Sequence, residues 1–396
     1  MPLQTIDSLV PVFIILIPLL AGVAVFLSGI KSARVLTREY DGLLESGASN
    51  PPGGHCLRVI ILMVATVAPF ILSASLYPAL QAGLVVVSRI DMLPPLGLYF
   101  RIDLLSWFMI ILFSFFGMML TIYNIAYMKG DLLPQRFFGF YLLVFAGSLG
   151  VVMGGDLFSL FLFFELMSIL YFILVVHDPN TKAVAAGMKF LFMTILAGVC
   201  LFLGTVIVFL ETGSLAFDRV GLFSDVTTYS LIAFIGFMVA FGTKTAMFPL
   251  HIWMPDTYTF APIPAAVISS AIMLKTGAYG LIRVYYNIFG VDFLRMVRWD
   301  DMVLVISLIT VVFGSVIAVA QDDIIRRLAY SGIAQLGYIL LGVVVLMPAG
   351  LVGAVYHIMA HAFMKSCLFL CAGSIISQTG NRSIRNMKGI GYRLPL

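Results

Sequence analysis

The feature that most constrains this chain is a series of apolar runs, each free of Asp, Glu, Lys and Arg, recurring from end to end. They cover Leu9–Ile30, Val59–Ser88, Leu104–Met128, Phe137–Gly155, Phe190–Leu210, Val226–Thr243, Thr257–Leu274, Met302–Ala320 and Leu328–Tyr356. A helix crosses the bilayer core in about 20 apolar residues, and an uncharged run of roughly 18 or more is a candidate span. Within hydrocarbon, only helices and closed barrels satisfy their own backbone groups. No credible strand pattern is present, so the expectation is an all-α polytopic membrane bundle. Admitting Glu165 and Lys365 inside spans gives eleven helices. With 61% of the residues hydrophobic and 11% charged, a soluble globular domain is excluded. Leu9–Ile30 lacks a basic n-region ahead of it and a small-residue cleavage site, so it reads as a retained span.

The placement of charge says more than the net +4. With the N-terminus outside, the cytoplasmic loops and tail hold thirteen basic residues, from Lys31, Arg34 and Arg38 to Arg385, Lys388 and Arg393. The opposite face holds six: Arg89, Arg101, Arg219, Arg283, Arg295 and Arg298. The positive-inside rule favours that orientation, with a cytoplasmic C-terminus. Residues 31–58, containing "NPPGG", read as the one sizeable polar loop. The stretch from Arg89 to Arg101, with Pro94 and Pro95, reads as interfacial. Cys200, Cys367 and Cys371 lie in apolar helices and read as small core residues, with Cys56 in the polar loop. No clustered cysteine spacing suggests an iron–sulfur centre, and no glycine-rich phosphate loop follows a strand. The expectation is a chain with no cofactor, no metal and no nucleic-acid partner.

One offset points to an internal repeat. At 167 residues "CLFL" recurs, Asp156 falls on Asp323, and "YFIL" falls on "YILL". Five spans fill that interval, and an odd number of spans inverts the second copy, as in many transporters. The expected organisation is 1–134, N-terminal helices and polar loop; 135–300, a first five-helix repeat; and 301–396, a second repeat. The same offset carries the helix starting near Tyr229 to the last residue, so the second copy is expected to stop before its own broken helix.

Charges inside the spans carry the functional reading. "FLFFELMSIL" sets Glu165 in an apolar helix, where an acidic residue costs roughly 3 kcal/mol. In "FGTKTAMFPLHIWMPD", Lys244 precedes Pro249, which offers no N–H to the carbonyl of Thr245 and clashes with that turn. A break between Thr245 and Pro249 follows, and freed backbone groups at membrane depth require protein partners or a hydrated cavity. A proline kink with a snorkelling lysine is the plainer alternative, but Lys244 is far from the span's ends. Lys275, in "SSAIMLKTGAYG", is central to the next helix. Lys189 opens the sixth span and suits either an interfacial anchor or a proton carrier. Burial favours the neutral form of lysines and carboxyls alike, so such groups can exchange protons near neutral pH.

In "YHIMAHAFMK", His357, His361 and Lys365 recur every four residues and line one helical face. Ile358 stands where H-E-x-x-H would have glutamate, and Lys365 would repel a cation, so a proton-relay stripe is expected rather than a metal site. Ser331, Gln335 and Tyr338 form a polar face on the tenth span. Glu165 and Lys244, two spans apart, are expected to pair.

These residues together resemble the antiporter-like subunits of respiratory complex I, a family with homologues in energy-converting hydrogenases and multisubunit sodium/proton antiporters. The motifs are "GGDLFSLFLFFELMSI", "KTAMFPLHIWMPDTYTFAPIPAAVISSAIMLKTGAYGLIR", "RRLAYSGIAQLGY" and "HIMAHAFMKSCLFLCAG". The resemblance implies that Glu165, Lys244 and Lys275 carry protons along a polar axis at mid-membrane. It also implies a partner set of other membrane subunits. In the family a further lysine or glutamate sits in a broken twelfth helix, which this sequence lacks, so a fragment of a longer reading frame is expected. Gln335 stands where some members have histidine. Three functions stay open: a proton-translocating subunit of a redox complex, a subunit of a multisubunit cation/proton antiporter driven by an ion gradient, such as that of Na+, rather than by electrons, and a scaffold with vestigial charges.

Overall fold

The computed structural model describes residues 4–43, 55–93, 96–129, 131–178 and 180–393. The chain divides into two compact units, Met1–His177 and Asp178–Leu396. Among the described residues ten helices are long and apolar enough to cross a membrane. An eleventh apolar helix, Thr228–Lys244, has 17 residues and is the expected interrupted span.

The first unit holds α1 (Val10–Leu43), α2 (His55–Ser75), α3 (Tyr77–Gln81), α4 (Leu104–Tyr127), α5 (Pro134–Met153) and α6 (Leu157–Val175). Close approach of these helices relies on glycine. A Cβ on Gly22 would lie 2.9 Å from the carbonyl oxygen of Gly139, and one on Gly150 would lie 2.3 Å from the Phe163 ring. Small residues allow such contacts where lipid gives no hydrophobic drive between helices. Asp103 and Asp156 cap α4 and α6, accepting from the backbone N–H of Ser106 and Ser159, as N-cap carboxylates do.

Strands are present, contrary to expectation. β1 (Thr5–Asp7) runs parallel to β2 (Val85–Leu93), which pairs antiparallel with β3 (Leu96–Ile102). The run Val59–Ser88 therefore leaves its helix at Ser75 and ends in a strand. "LVVVSRI" and "LYFRI" are rich in β-branched and aromatic residues that suit a pleated surface, a signal that hydropathy conceals. Arg89 and Arg101 of the stretch read as interfacial sit in this hairpin; Pro94 and Pro95 lie outside the described residues. The polar loop expected from residue 31 is also corrected: α1 continues to Leu43 and α2 starts at His55, and residues 44–54 lie outside the described residues.

The second unit begins with α7 (Thr181–Thr212), α8 (Thr228–Lys244), α9 (Met254–Phe260), α10 (Ile263–Ile268), α11 (Leu274–Arg283) and α12 (Val291–Val297). It ends with α13 (Trp299–Ala320), α14 (Ile324–Val344), α15 (Pro348–Thr379) and α16 (Ile390–Arg393). The run Leu328–Tyr356 is two helices, parted at Val345–Met347, where Leu346 has φ +54°. The span Ile263–Phe289 is enclosed by protein and carries two π-helical stretches, Ser269–Met273 and Val284–Phe289. Arg283 is buried in that span, its Nε donating to the Tyr279 hydroxyl at 2.9 Å, and is not a loop residue. The cysteines are not core residues: Cys56, Cys367 and Cys371 are exposed and Cys200 is half-buried. At the 167-residue offset, Asp156 and Asp323 each cap a helix, Asp323 accepting from the N–H of Arg326.

Candidate functional site

The site in the second unit is built around the end of α8. Its last turn closes as a Schellman motif, with the N–H of Met247 on the carbonyl of Gly242 at 2.8 Å and that of Ala246 on Thr243 at 3.1 Å. Ala246 takes the left-handed position, φ +51°, that glycine usually fills. Pro249 prevents the helix from resuming, and the chain passes through a 3₁₀ turn, Leu250–Trp253, into α9. The backbone groups freed by the break find partners within the protein. Thr310 of α13 accepts from the N–H of Phe248 at 3.0 Å, and the Trp253 indole N–H donates to the carbonyl of Thr243 at 2.9 Å.

Lys244 sits at this break, 2% exposed. Its stem lies against Gly277 of α11, where an added Cβ would come within 2.9 Å. Its ammonium is 5.6 Å from the centre of the Phe190 ring, within range of a cation–π attraction. The surrounding crevice is lined by Phe190, Met193, Thr194, Ala197, Thr243 and Trp253, and has no room for a water molecule. The hydrated pocket expected here is therefore, in this conformation, a mainly apolar crevice.

Lys275 lies further along the chain in the enclosed span, directly after the first π-helical stretch, and is fully buried. Such stretches are frequent at functional sites. The Lys275 Nζ donates to the carbonyl of Ser270 and stands 2.9 Å from His361 Nδ1. With the ammonium donating, Nδ1 is the acceptor and the ring proton resides on Nε2. His361 Nε2 is buried with no hydrogen-bond partner among the described residues. The His357 and His361 rings are stacked 6.4 Å apart, and Tyr338 meets His357 edge-on at 6.0 Å. One turn on, the Lys365 ammonium donates to the carbonyl of Leu328 at 2.8 Å and to the Ser331 hydroxyl. The stripe on α15 turns inward: His361 and Lys365 are buried and His357 is half-buried.

Lys189 does not open its span; α7 starts at Thr181 and places it in the third turn. It pairs with Asp256 of α9 at 2.7 Å, while Arg326 of α14 holds the other oxygen of that carboxylate at 2.9 Å. Asp256 and Arg326 carry no site role in the sequence reading, although "WMPD" and "RRLAY" both stand in the informative motifs. Nor does His251, which is buried on the 3₁₀ turn and packs against Phe248 and Phe313.

In the first unit, Glu165 is half-buried on the uninterrupted α6. Outside the spans, His177 is 3.2 Å from Asp131, and the Arg136 guanidinium donates to its carbonyl. The hydrogen bond from His177, opposed by partial burial, holds the Asp131 carboxyl below its ordinary range.

Fold and site thus define an integral membrane helix bundle that gathers buried basic side chains around interrupted helices. Residues 154–396 match the family described as NADH:quinone oxidoreductase/Mrp antiporter, transmembrane region, and the chain belongs to that family. It is 33% identical to NADH-quinone oxidoreductase subunit N of Desulforudis audaxviator over 313 residues, 76% of this chain and 61% of that protein. It is 30% identical to an Na(+)/H(+) antiporter subunit of Alkalihalophilus pseudofirmus over 343 residues, 85% of this chain and 68% of that protein. The chain thus spans less than two thirds of the first relative's length and just over two thirds of the second's. Among solved structures, an archaeal membrane-bound sulfane sulfur reductase superposes with TM-score 0.80 at 22% identity, covering 98% of this chain and 76% of that one. The Mrp complex from a Dietzia species gives TM-score 0.78 at 24% identity, covering 93% and 64%. These two likenesses concern the fold.

Proposed function

We propose that this protein is a proton-translocating membrane subunit, carrying protons along Lys244, Lys275, His361, His357 and Lys365 with Glu165 on the same pathway. It would work beside redox subunits of a complex I-like or hydrogenase-like assembly and hold no redox centre itself. The observation that carries the reading is the buried contact of Lys275 with His361. Two groups that both exchange protons lie at hydrogen-bond distance, enclosed from lipid. A lysine that hands a proton to Nδ1 lets the ring release its other proton from Nε2, so charge can advance along the α15 stripe without a moving carrier. Buried ionisable groups facing a bundle interior are the usual marks of a proton pathway. The orientation that goes with this reading has the N-terminus outside and the C-terminus cytoplasmic.

A second reading, a subunit exchanging a monovalent cation for protons, is favoured by the 30% identity to an Na(+)/H(+) antiporter subunit. The test is proton accumulation in vesicles containing the assembled full-length complex. Lys275→Met and His361→Leu should each abolish it while the complex stays intact. Accumulation at the wild-type rate in both would reject the pathway. A gradient driven by added Na+ without electron flow would favour the second reading.

A further inference from the structure

We propose that Asp256 is a positioning residue that fixes the far half of the interrupted helix, with Arg326 as a permanent anchor and Lys189 as a releasable one. This inference rests on the proton-pathway reading given above.

The far half, α9, has seven residues, far too few to hold a helix by its own hydrogen bonds. Its sequence, "MPDTYTF", carries a single charge. That charge is shared between cations on two different helices, Lys189 of α7 at 2.7 Å and Arg326 of α14 at 2.9 Å. One carboxylate with two cations has a property that a simple pair lacks. If Lys189 lets go, Arg326 still neutralises Asp256, so release leaves no unpaired carboxylate in the membrane domain. The two anchors also differ in kind. Arginine stays charged and its planar fork is preorganised for a carboxylate, whereas lysine is a flexible point charge.

Release of Lys189 would reach Lys244 through one adjacent residue. Phe190 follows Lys189 on α7, packs edge-to-face on Trp253 with ring centres 5.1 Å apart, and lies 5.6 Å from the Lys244 ammonium. Trp253 in turn donates to the carbonyl of Thr243, next to Lys244. The ion clamp and the buried lysine are therefore joined by a continuous set of contacts, Lys189–Phe190–Trp253–Thr243. When the clamp closes, Phe190 and Trp253 hold Lys244 in its apolar crevice; when it opens, that wall is free to move.

The experiment uses the full-length complex in vesicles, reading assembly, initial transport rate and the pH profile of that rate. Lys189→Met should assemble normally and lower transport about tenfold, the scale of coupling that packed networks transmit. Asp256→Asn, which also loses the Arg326 pair, should lower it at least as far, and Asp256→Glu should restore most of the rate. The double variant Lys189→Met/Asp256→Asn should be no worse than Asp256→Asn alone, because that substitution already removes the Lys189 contact. Phe190→Leu, which leaves every ion pair in place, should displace the pH profile in the same direction as Lys189→Met. Wild-type rates and profiles in Lys189→Met and Asp256→Asn would overturn the proposal, as would additive losses in the double variant. If Asp256→Asn fails to assemble, Phe190→Leu and Lys189→Met decide the matter. Normal transport in Lys244→Ala would instead reject the pathway itself, so the two failures are distinguishable.

Discussion

The α5–α6 pair of the first unit and the α8–α11 pair of the second both bring helices together through glycine, yet they handle polar groups differently. In the first pair, Gly150 meets Phe163 and Gly147 meets Met167. Ser148 and Ser168 turn back on their own helices, to the carbonyls of Val144 and Phe164, while Tyr141 reaches the carbonyl of Gly117 on α4 and Ser159 accepts from the N–H of Tyr99 on β3. In the second pair, Gly280 meets Phe241 and Gly277 meets Lys244, but the backbone is interrupted on both sides of the contact. Polar groups there bond across elements: Trp253 to Thr243, Phe248 to Thr310, Lys275 to His361. An unbroken helix consumes its own backbone groups and leaves buried side chains little to bind. An interrupted one frees donors and acceptors, and cationic side chains are held where that happens. Glu165 on α6, Lys189 on α7 and the His357–His361–Lys365 stripe on α15 are set in unbroken helices.

The largest expected effect is on transport. Lys365→Met removes a group that donates across helices to Leu328 and Ser331, and should lower proton accumulation about 100-fold or more, the scale of a lost proton-transfer group. Ser168→Ala, which removes a bond within one helix, should leave accumulation near the wild-type rate. Equal losses in both would erase the contrast between the regions. A smaller effect is expected from overpacking: Gly150→Val and Gly280→Val should each cost about 1–3 kcal/mol, read as a lower melting temperature in detergent. Only Gly280→Val should also slow transport beyond its loss of assembled complex, because Phe241 shares a helix with Lys244. Asp156→Ala should cost about 1 kcal/mol through its cap alone.

The smallest effect lies outside the membrane. The His177 hydrogen bond lowers the Asp131 carboxyl, so that contribution is present above the ordinary Asp range and is lost as pH falls through the folded value. The stability lost in His177→Leu should therefore be full above about pH 4, near the unperturbed Asp value, and should shrink as pH falls below it. A pH-independent change would remove this link.

Much of the site is legible in the sequence because its signals are local. Lys244 beside Pro249, Lys275 in an apolar run, and the four-residue recurrence of His361 and Lys365 each need only one helix to be recognised. The pairing of Asp256 with Lys189 and Arg326 spans 67 and 70 residues, and no periodicity connects positions so far apart. The π-helical stretch before Lys275 has no Gly or Pro to announce it. The β2–β3 hairpin is hidden because hydropathy treats valines of a strand and of a span alike, and α1 overruns its apolar stretch because polar residues also form helix.

The central claim is that the lysine at the interrupted helix carries protons. It is tested most directly by proton accumulation in vesicles bearing the intact complex with Lys244→Ala, Glu165→Ala and the double substitution. The account predicts that each single variant assembles, retains partner binding and loses proton accumulation, and that the double variant is little worse than either. Near-normal accumulation in Lys244→Ala would contradict it.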